Sequence, residues 1–102
     1  MAEQQNKDWL DKPTDHRRLS ELLDRWWELH GRSHKYGEKR QRELKRVISD
    51  MGNPRLSKIN KGFIAEYRSQ RLYEGVKAST VNRDLSTLRG LFRVLTEAED
   101  LH

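Results

Sequence analysis

Apolar residues recur at helical spacing in four stretches of this chain, and the polar positions between them differ in character from stretch to stretch. The clearest stretch runs from Ser79 to Leu95. Val81, Leu85, Leu88, Phe92 and Leu95 form an apolar stripe roughly 80° wide on a 3.6-residue repeat. Ser79 precedes the stripe and predicts an N-cap, because its hydroxyl can accept from an unpaired first-turn N–H. About a quarter-turn round sit Asn82, Ser86, Arg89 and Arg93, and Arg83 and Thr87 follow further round. The single acid of the stretch, Asp84, lies close to the apolar side.

A first helix is predicted from Arg18 to His30, with Leu19, Leu22, Leu23, Trp26 and His30 on one face and Trp27 and Leu29 on its flanks. Its opposite face carries Glu21, Asp24, Arg25 and Glu28, and Gly31 is predicted to stop it as a C′ residue. Tryptophans can stack on bases, but at helical spacing among leucines they are read as core. His30 is read as a packed or partly exposed side chain, not a ligand.

A second helix is predicted within Ser33–Met51, with Gly37 placing its first turn in doubt. Its buried stripe is Leu44, Val47, Ile48 and Met51. On the far side Lys35, Lys39, Arg42 and Arg46 recur at i, i+4, i+7 and i+11, projecting in nearly one direction if the helix reaches back to Lys35. Like charges at this spacing disfavour a free helix. A solvated face softened by Glu38 and Glu43 ranks below contact with an anion, because the solvated face of the first helix is acid-rich. Asn53-Pro54-Arg55 predicts a turn, and Leu56 to Ile59 a short extended crossing that touches the core. Asn60 is predicted to cap a third helix over Lys61–Tyr73, with Phe63, Ile64 and Tyr67 facing inward. Leu72 and Tyr73 fit that face poorly.

Four helices and no strand signal predict a small all-α domain. The 102 residues suffice for one domain. Residues 1–17 are read as a lead-in or linker in which Trp9 and Leu10 are the apolar exceptions, residues 18–98 as the domain, and residues 99–102 as a tail. With 33% hydrophobic and 36% charged residues, the core must be thin. The formal net charge is +5, and it is unevenly placed: Arg32–Ile48 carries +5, Lys77–Leu95 carries +3, and the remainder is acidic. Such a balance favours an anionic partner, nucleic acid or an acidic surface.

Cysteine is absent, which excludes disulfides and thiolate metal sites. No apolar run is long enough to span a bilayer and no signal-peptide core is seen, so the cytosol is the default compartment. His16, His30, His34 and His102 show no metal-ligand spacing, the glycines form no phosphate loop, and no serine sits in a nucleophile elbow. No cofactor and no catalysis are expected. Two readings stay open: a DNA-binding module gripping the backbone with two basic helix faces, and a small basic helical domain that meets an acidic protein partner or membrane surface. Ser, Thr and Asn alternate with the basic residues of the last helix and can bond phosphates and base edges. No large apolar residues border the basic face as a membrane-surface helix requires. Nucleic acid is favoured.

Ser79 through Phe92 and Leu-Leu-Asp-Arg-Trp-Trp-Glu-Leu-His-Gly at residues 22–31 resemble the core-binding domain of phage-type tyrosine recombinases, the integrases. Leu56-Ser57-Lys58-Ile59-Asn60 and the helix through Arg71 resemble the middle of that domain. The resemblance covers roughly residues 18–98 in order and spacing. It implies a SAM-like bundle of four to five helices that forms half of a clamp on double-stranded core attachment-site DNA. The implied partners are a catalytic domain of the same longer protein and other integrase protomers in a recombination complex, in a bacterial cytoplasm. The family's Arg–His–Arg set and tyrosine nucleophile cannot be placed here, and Tyr36, Tyr67 and Tyr73 match nothing catalytic. A chain of this kind is expected to bind and not to cut. Carried over by position, the last-helix DNA contacts are Ser79, Thr80 and Arg83 in the first turn. Lys77, Asn82 and Ser86 beside them, and Lys35, Lys39, Arg42 and Arg46 of the basic stripe, complete the candidate site.

Overall fold

A computed structural model describes residues 15–101. The expectations for Trp9 and Leu10 lie outside these residues. Among them are four α-helices: α1 (Leu19–Leu29), α2 (Gly37–Asp50), α3 (Lys61–Tyr73) and α4 (Ala78–Glu97). Short 3-10 turns occupy Gly31–Ser33 and Leu56–Lys58. The only β pairing among the described residues is an isolated bridge between Arg18 and Arg55. The domain is a small all-α bundle, and no described helix is long and apolar enough to cross a membrane.

α4 is the axis of the core. Leu88, Leu91, Phe92 and Leu95 pack against Leu19, Leu22 and Trp26 of α1 and Leu44, Val47 and Ile48 of α2. Each such side chain contributes about 1.5–3 kcal/mol on leaving water. The buried face of α4 is wider than its leucine stripe suggests. Leu91 and Asp84 are buried, whereas Leu85 is only half-buried, because α2 lies along the Asp84–Leu91 side. Leu56 and Ile59 reach the core as expected, but on a 3-10 turn instead of an extended crossing. α3 has no fully buried residue, and Phe63, Ile64 and Tyr67 pack only part of their surface against the core. The Tyr67 hydroxyl is buried with no hydrogen-bond partner, and burial raises its pKa.

The helix ends show where local rules hold and where tertiary contacts replace them. Asn60 caps α3 as expected, its Oδ1 accepting from the Phe63 N–H at 2.8 Å. α4 starts one residue before Ser79, with Lys77 at the N-cap and no side-chain cap, so Ser79 is a first-turn residue. Gly52 and Gly75 end α2 and α3 with φ of 88° and 95°. Gly31 follows α1 but lacks a positive φ. A Cβ there would lie 2.4 Å from the buried Trp26 ring, so close packing requires glycine.

The amides that open α1 are satisfied from a distant turn. The Leu19 N–H donates to the Pro54 carbonyl at 3.0 Å, and the Ser20 N–H donates to Asn53 Oδ1 at 2.9 Å. Asn53 Nδ2 donates in return to Ser20 Oγ at 3.1 Å. Asn53 itself sits at φ 49°, a region Asn tolerates better than most residues. Asn53→Ala should therefore cost about 1–2 kcal/mol through both the missing cap and the strained backbone. Asn53→Gly should recover only the backbone share. Urea denaturation of the two variants measures the split: equal losses would leave the backbone strain with no role, and an Asn53→Gly variant as stable as the parent would leave the cap with none.

At the other edge, Arg17 binds Asp15 at 2.9 Å and Asp100 at 3.1 Å, and Arg25 also reaches Asp100 at 3.3 Å. Burial pushes the Asp100 carboxyl up, but hydrogen bonds from Arg25 and Arg17 outweigh it and hold its pKa below the ordinary value. Leu101 packs against the core beside this cluster.

Candidate nucleic-acid interface

α2 and α4 lie side by side. Arg40 Nη1 donates to Thr87 Oγ1 at 3.3 Å, and Arg46 binds Asp84 at 2.9 Å. The two basic segments of the chain are thus adjacent in space. Between the helices runs a groove of about 830 Å³ whose lining includes Lys39 and Arg40 of α2 and Ser86, Thr87, Gly90 and Arg93 of α4. Small residues on the α4 side leave the groove open, and cations occupy its rim.

The four-residue stripe predicted on the second helix is not continuous. α2 begins at Gly37, so Lys35 precedes it and leaves the helical register. The reason is a tight backbone approach: Gly37 rests on the Gly31 carbonyl, and the chain from Gly31 to Ser33 is wound as a 3-10 turn. Lys35 instead lays its ammonium 5.4 Å from the centre of the Tyr36 ring. Lys39 and Arg42 are exposed and carry no ion pair among the described residues.

Arg46 is placed differently. Its guanidinium donates to both oxygens of Asp84, a carboxylate that is only 3% exposed, and to Asp50 at 3.3 Å. The hydrogen bond with Asp84 raises the Arg46 pKa further above its ordinary value. Arg71 of α3 binds the same Asp50 at 3.5 Å. One turn of three helices is therefore pinned by a chain of alternating charges, and Arg46 is a member of it. The position of Asp84 beside the apolar stripe is the signal visible in sequence. Its partner, 38 residues away, is not.

On α4, Lys77, Ser79, Asn82, Arg83 and Ser86 are exposed and Thr80 is half-buried. The Asn82 side-chain oxygen is occupied by the Arg68 guanidinium of α3. Arg83 is exposed with no ion pair among the described residues. The first-turn N–H groups of α4 lack a side-chain cap and present the positive end of a 20-residue helix. Sequence reasoning missed Arg40, whose bond to Thr87 places it across the groove, and Tyr36, which is 59% exposed beside the basic cluster.

Comparison with known proteins places the chain in a family. The family described as phage integrase, N-terminal domain, matches residues 15–102. The chain is 40% identical over 94 residues to the integrase of Escherichia phage P2, covering 92% of this chain and 28% of that protein. It is 33% identical over 85 residues to the integrase of Haemophilus phage HP1, covering 76% of this chain and 25% of that protein. To the integrase of Escherichia phage 186 it is 30% identical over 96 residues, covering 85% of this chain and 29% of that protein. The chain thus spans between a quarter and three-tenths of the length of these relatives. No solved structure matches it significantly. With a family match that runs over every described residue, the chain belongs to the phage integrase N-terminal domain family.

Proposed function

We propose that this domain binds double-stranded DNA with the surface formed by α2 and α4, as the part of an integrase that grips core attachment-site DNA. The catalytic half of the clamp is a further domain of the same longer protein, and other protomers join in the recombination complex. The observation that carries this reading is the division of the cations. Arg17, Arg25, Arg46 and Arg71 are spent on acids within the fold, while Lys39, Arg42 and Arg83 stand exposed with no acid of their own. Uncompensated cations on two adjacent helices suit a polyanion whose charge repeats along its length. The uncapped first turn of α4, with Lys77, Ser79, Thr80 and Arg83, supplies free N–H groups and a positive pole for a phosphate. Lys35, Lys39, Arg42 and Ser86 complete the contact set. Arg46 and Asn82 act by holding the helices that present the others.

Neutralising Lys39 and Arg42 together should weaken binding to generic duplex DNA. It should also flatten the slope of log K against log salt by about one unit for each phosphate that is no longer neutralised. Arg83→Ala should melt near the parent temperature and bind more weakly, because a charge-assisted hydrogen bond is removed. Gel shifts at two salt concentrations measure both. Unchanged strength and unchanged slope in the double variant would remove α2 from the DNA face and favour an acidic protein partner instead.

A further inference from the structure

Adjoining the α2–α4 groove, the surface sinks into a second, smaller depression of about 380 Å³. Its walls are Trp27 of α1, the turn from Gly31 to Tyr36, and the first turns of α2 as far as Arg42. Two aromatic rings face it. Tyr36 is 59% exposed and Trp27 is half-buried. Four cations surround them, Arg32, Lys35, Lys39 and Arg42, against one acid, Glu38. None of the four is paired with a carboxylate among the described residues, and Lys35 is already drawn over the Tyr36 ring. His34, Tyr36 and Lys39 line both this depression and the groove between α2 and α4, so the two sites share a wall.

Exposed aromatic surface is costly to leave in water, and four uncompensated cations repel one another. One class of ligand relieves both: a planar ring joined to phosphate. In a duplex the faces of the bases are covered by their neighbours, and only edges and backbone are offered. The depression is too small for the rod of a duplex, but its volume is within the range of sites for single small ligands, which begins at about 300 Å³. We propose that this depression takes an unpaired nucleotide of a DNA strand whose duplex part lies on α2 and α4. The base stacks on Tyr36, and its flanking phosphates meet Arg32, Lys35 and Arg42. This inference rests on the proposed duplex-binding surface and adds to it a preference for DNA with an unpaired end.

The test uses the full chain and three DNAs of one sequence: a blunt duplex, the same duplex with a three-nucleotide thymidine overhang, and the same length fully paired. The overhang should strengthen binding by about fivefold or more over both paired forms. Tyr36→Ala should bring the ratio of overhang to blunt-duplex affinity down to about one, whatever the change in blunt-duplex binding itself, and leave the melting temperature unchanged, as expected for an exposed side chain. Tyr36→Phe should keep the gain. The Tyr36 ring protons should shift upfield with the overhang DNA and not with the blunt duplex. The inference is overturned if the overhang gives no gain, if Tyr36→Ala keeps it, or if a polyglutamate peptide displaces the overhang equally from the parent and the Tyr36→Ala variant. The last result would mean attraction by charge alone. Failure to bind any duplex is a different result, and it overturns the DNA-binding reading itself.

Discussion

Replacing Gly37 with alanine should lower the melting temperature by more than about 10 °C, from an overpacking cost of several kcal/mol. A Cβ at Gly37 would lie 1.7 Å from the Gly31 carbonyl oxygen and 2.7 Å from its carbon, and both are backbone atoms. Gly31 cannot retreat, because its own Cβ position is already filled by the Trp26 ring at 2.4 Å. Trp26 is buried and cannot swing out. The three residues form a stack in which a ring, a peptide and a helix start touch without intervening side chains. Overpacking of a tight site costs about 1–3 kcal/mol, more where backbone must move. A domain of this size loses roughly 4–8 °C per kcal/mol. Gly90→Ala is the control: it lies inside α4, a Cβ there meets nothing within 4 Å, and it should stabilise by about 0.5–1 kcal/mol. Calorimetry of the two variants separates a packing glycine from a merely tolerated one. A Gly37→Ala variant that melts within about 2 °C of the parent, the scatter of a neutral surface change, would show that the start of α2 is not seated on Gly31.

The second large effect is expected at Arg46. Arg46→Ala strands the Asp84 carboxylate, which is 3% exposed, without its cation. Breaking a buried pair in this way costs about 3–5 kcal/mol. The Arg46 side chain remains 47% exposed, so water offsets part of the loss and about 2 kcal/mol or more is expected. Asp84→Ala should cost less, because the released guanidinium can turn to solvent and keep Asp50. Arg46→Met combined with Asp84→Leu should be more stable than Arg46→Ala, since no charge is then left buried. Chemical denaturation gives the three stabilities, and binding to duplex DNA is measured on each folded variant. Were Arg46→Ala to melt normally and only bind DNA more weakly, Arg46 would belong to the DNA-binding surface and not to the frame beneath it.

These two sites also mark the limit of what the chain's pattern discloses. The helices are legible because apolar spacing answers to a local rule, leucine and tryptophan in α1 and Phe63, Ile64 and Tyr67 in α3, and so both appear within a residue of their expected bounds. The Asn60 cap obeys a local rule as well. Gly31 and Gly37 do not. A glycine that ends a helix and a glycine that lets two backbones touch have the same signature in sequence, and only the position of the Trp26 ring separates them. The same holds for the candidate site. Exposed basic residues on α2 and α4 can be read from spacing, but which arginines are spent internally depends on partners far away in the chain, as with Arg46 and Asp84. Ser79 falls inside the first turn and not at the cap, because Lys77, with its extended backbone, opens α4 without any side-chain cap.

The contact of Arg17 with Asp15 and Asp100 has a mechanical meaning. Residues 15 and 100 lie at the same edge of the bundle, although the chain between them traverses all four helices. A pull applied between these two points would act on a line that the arginine spans. Under such a pull the ionic bonds at that edge are expected to be loaded together with the packing of Leu101 beside them. Arg17 and Arg25 are thus expected to matter more to tension along this line than to heat, which is resisted by the burial of Phe92 and its neighbours in the interior. Substitutions at Arg17 and Arg25 would then change the first kind of strength and leave most of the second in place.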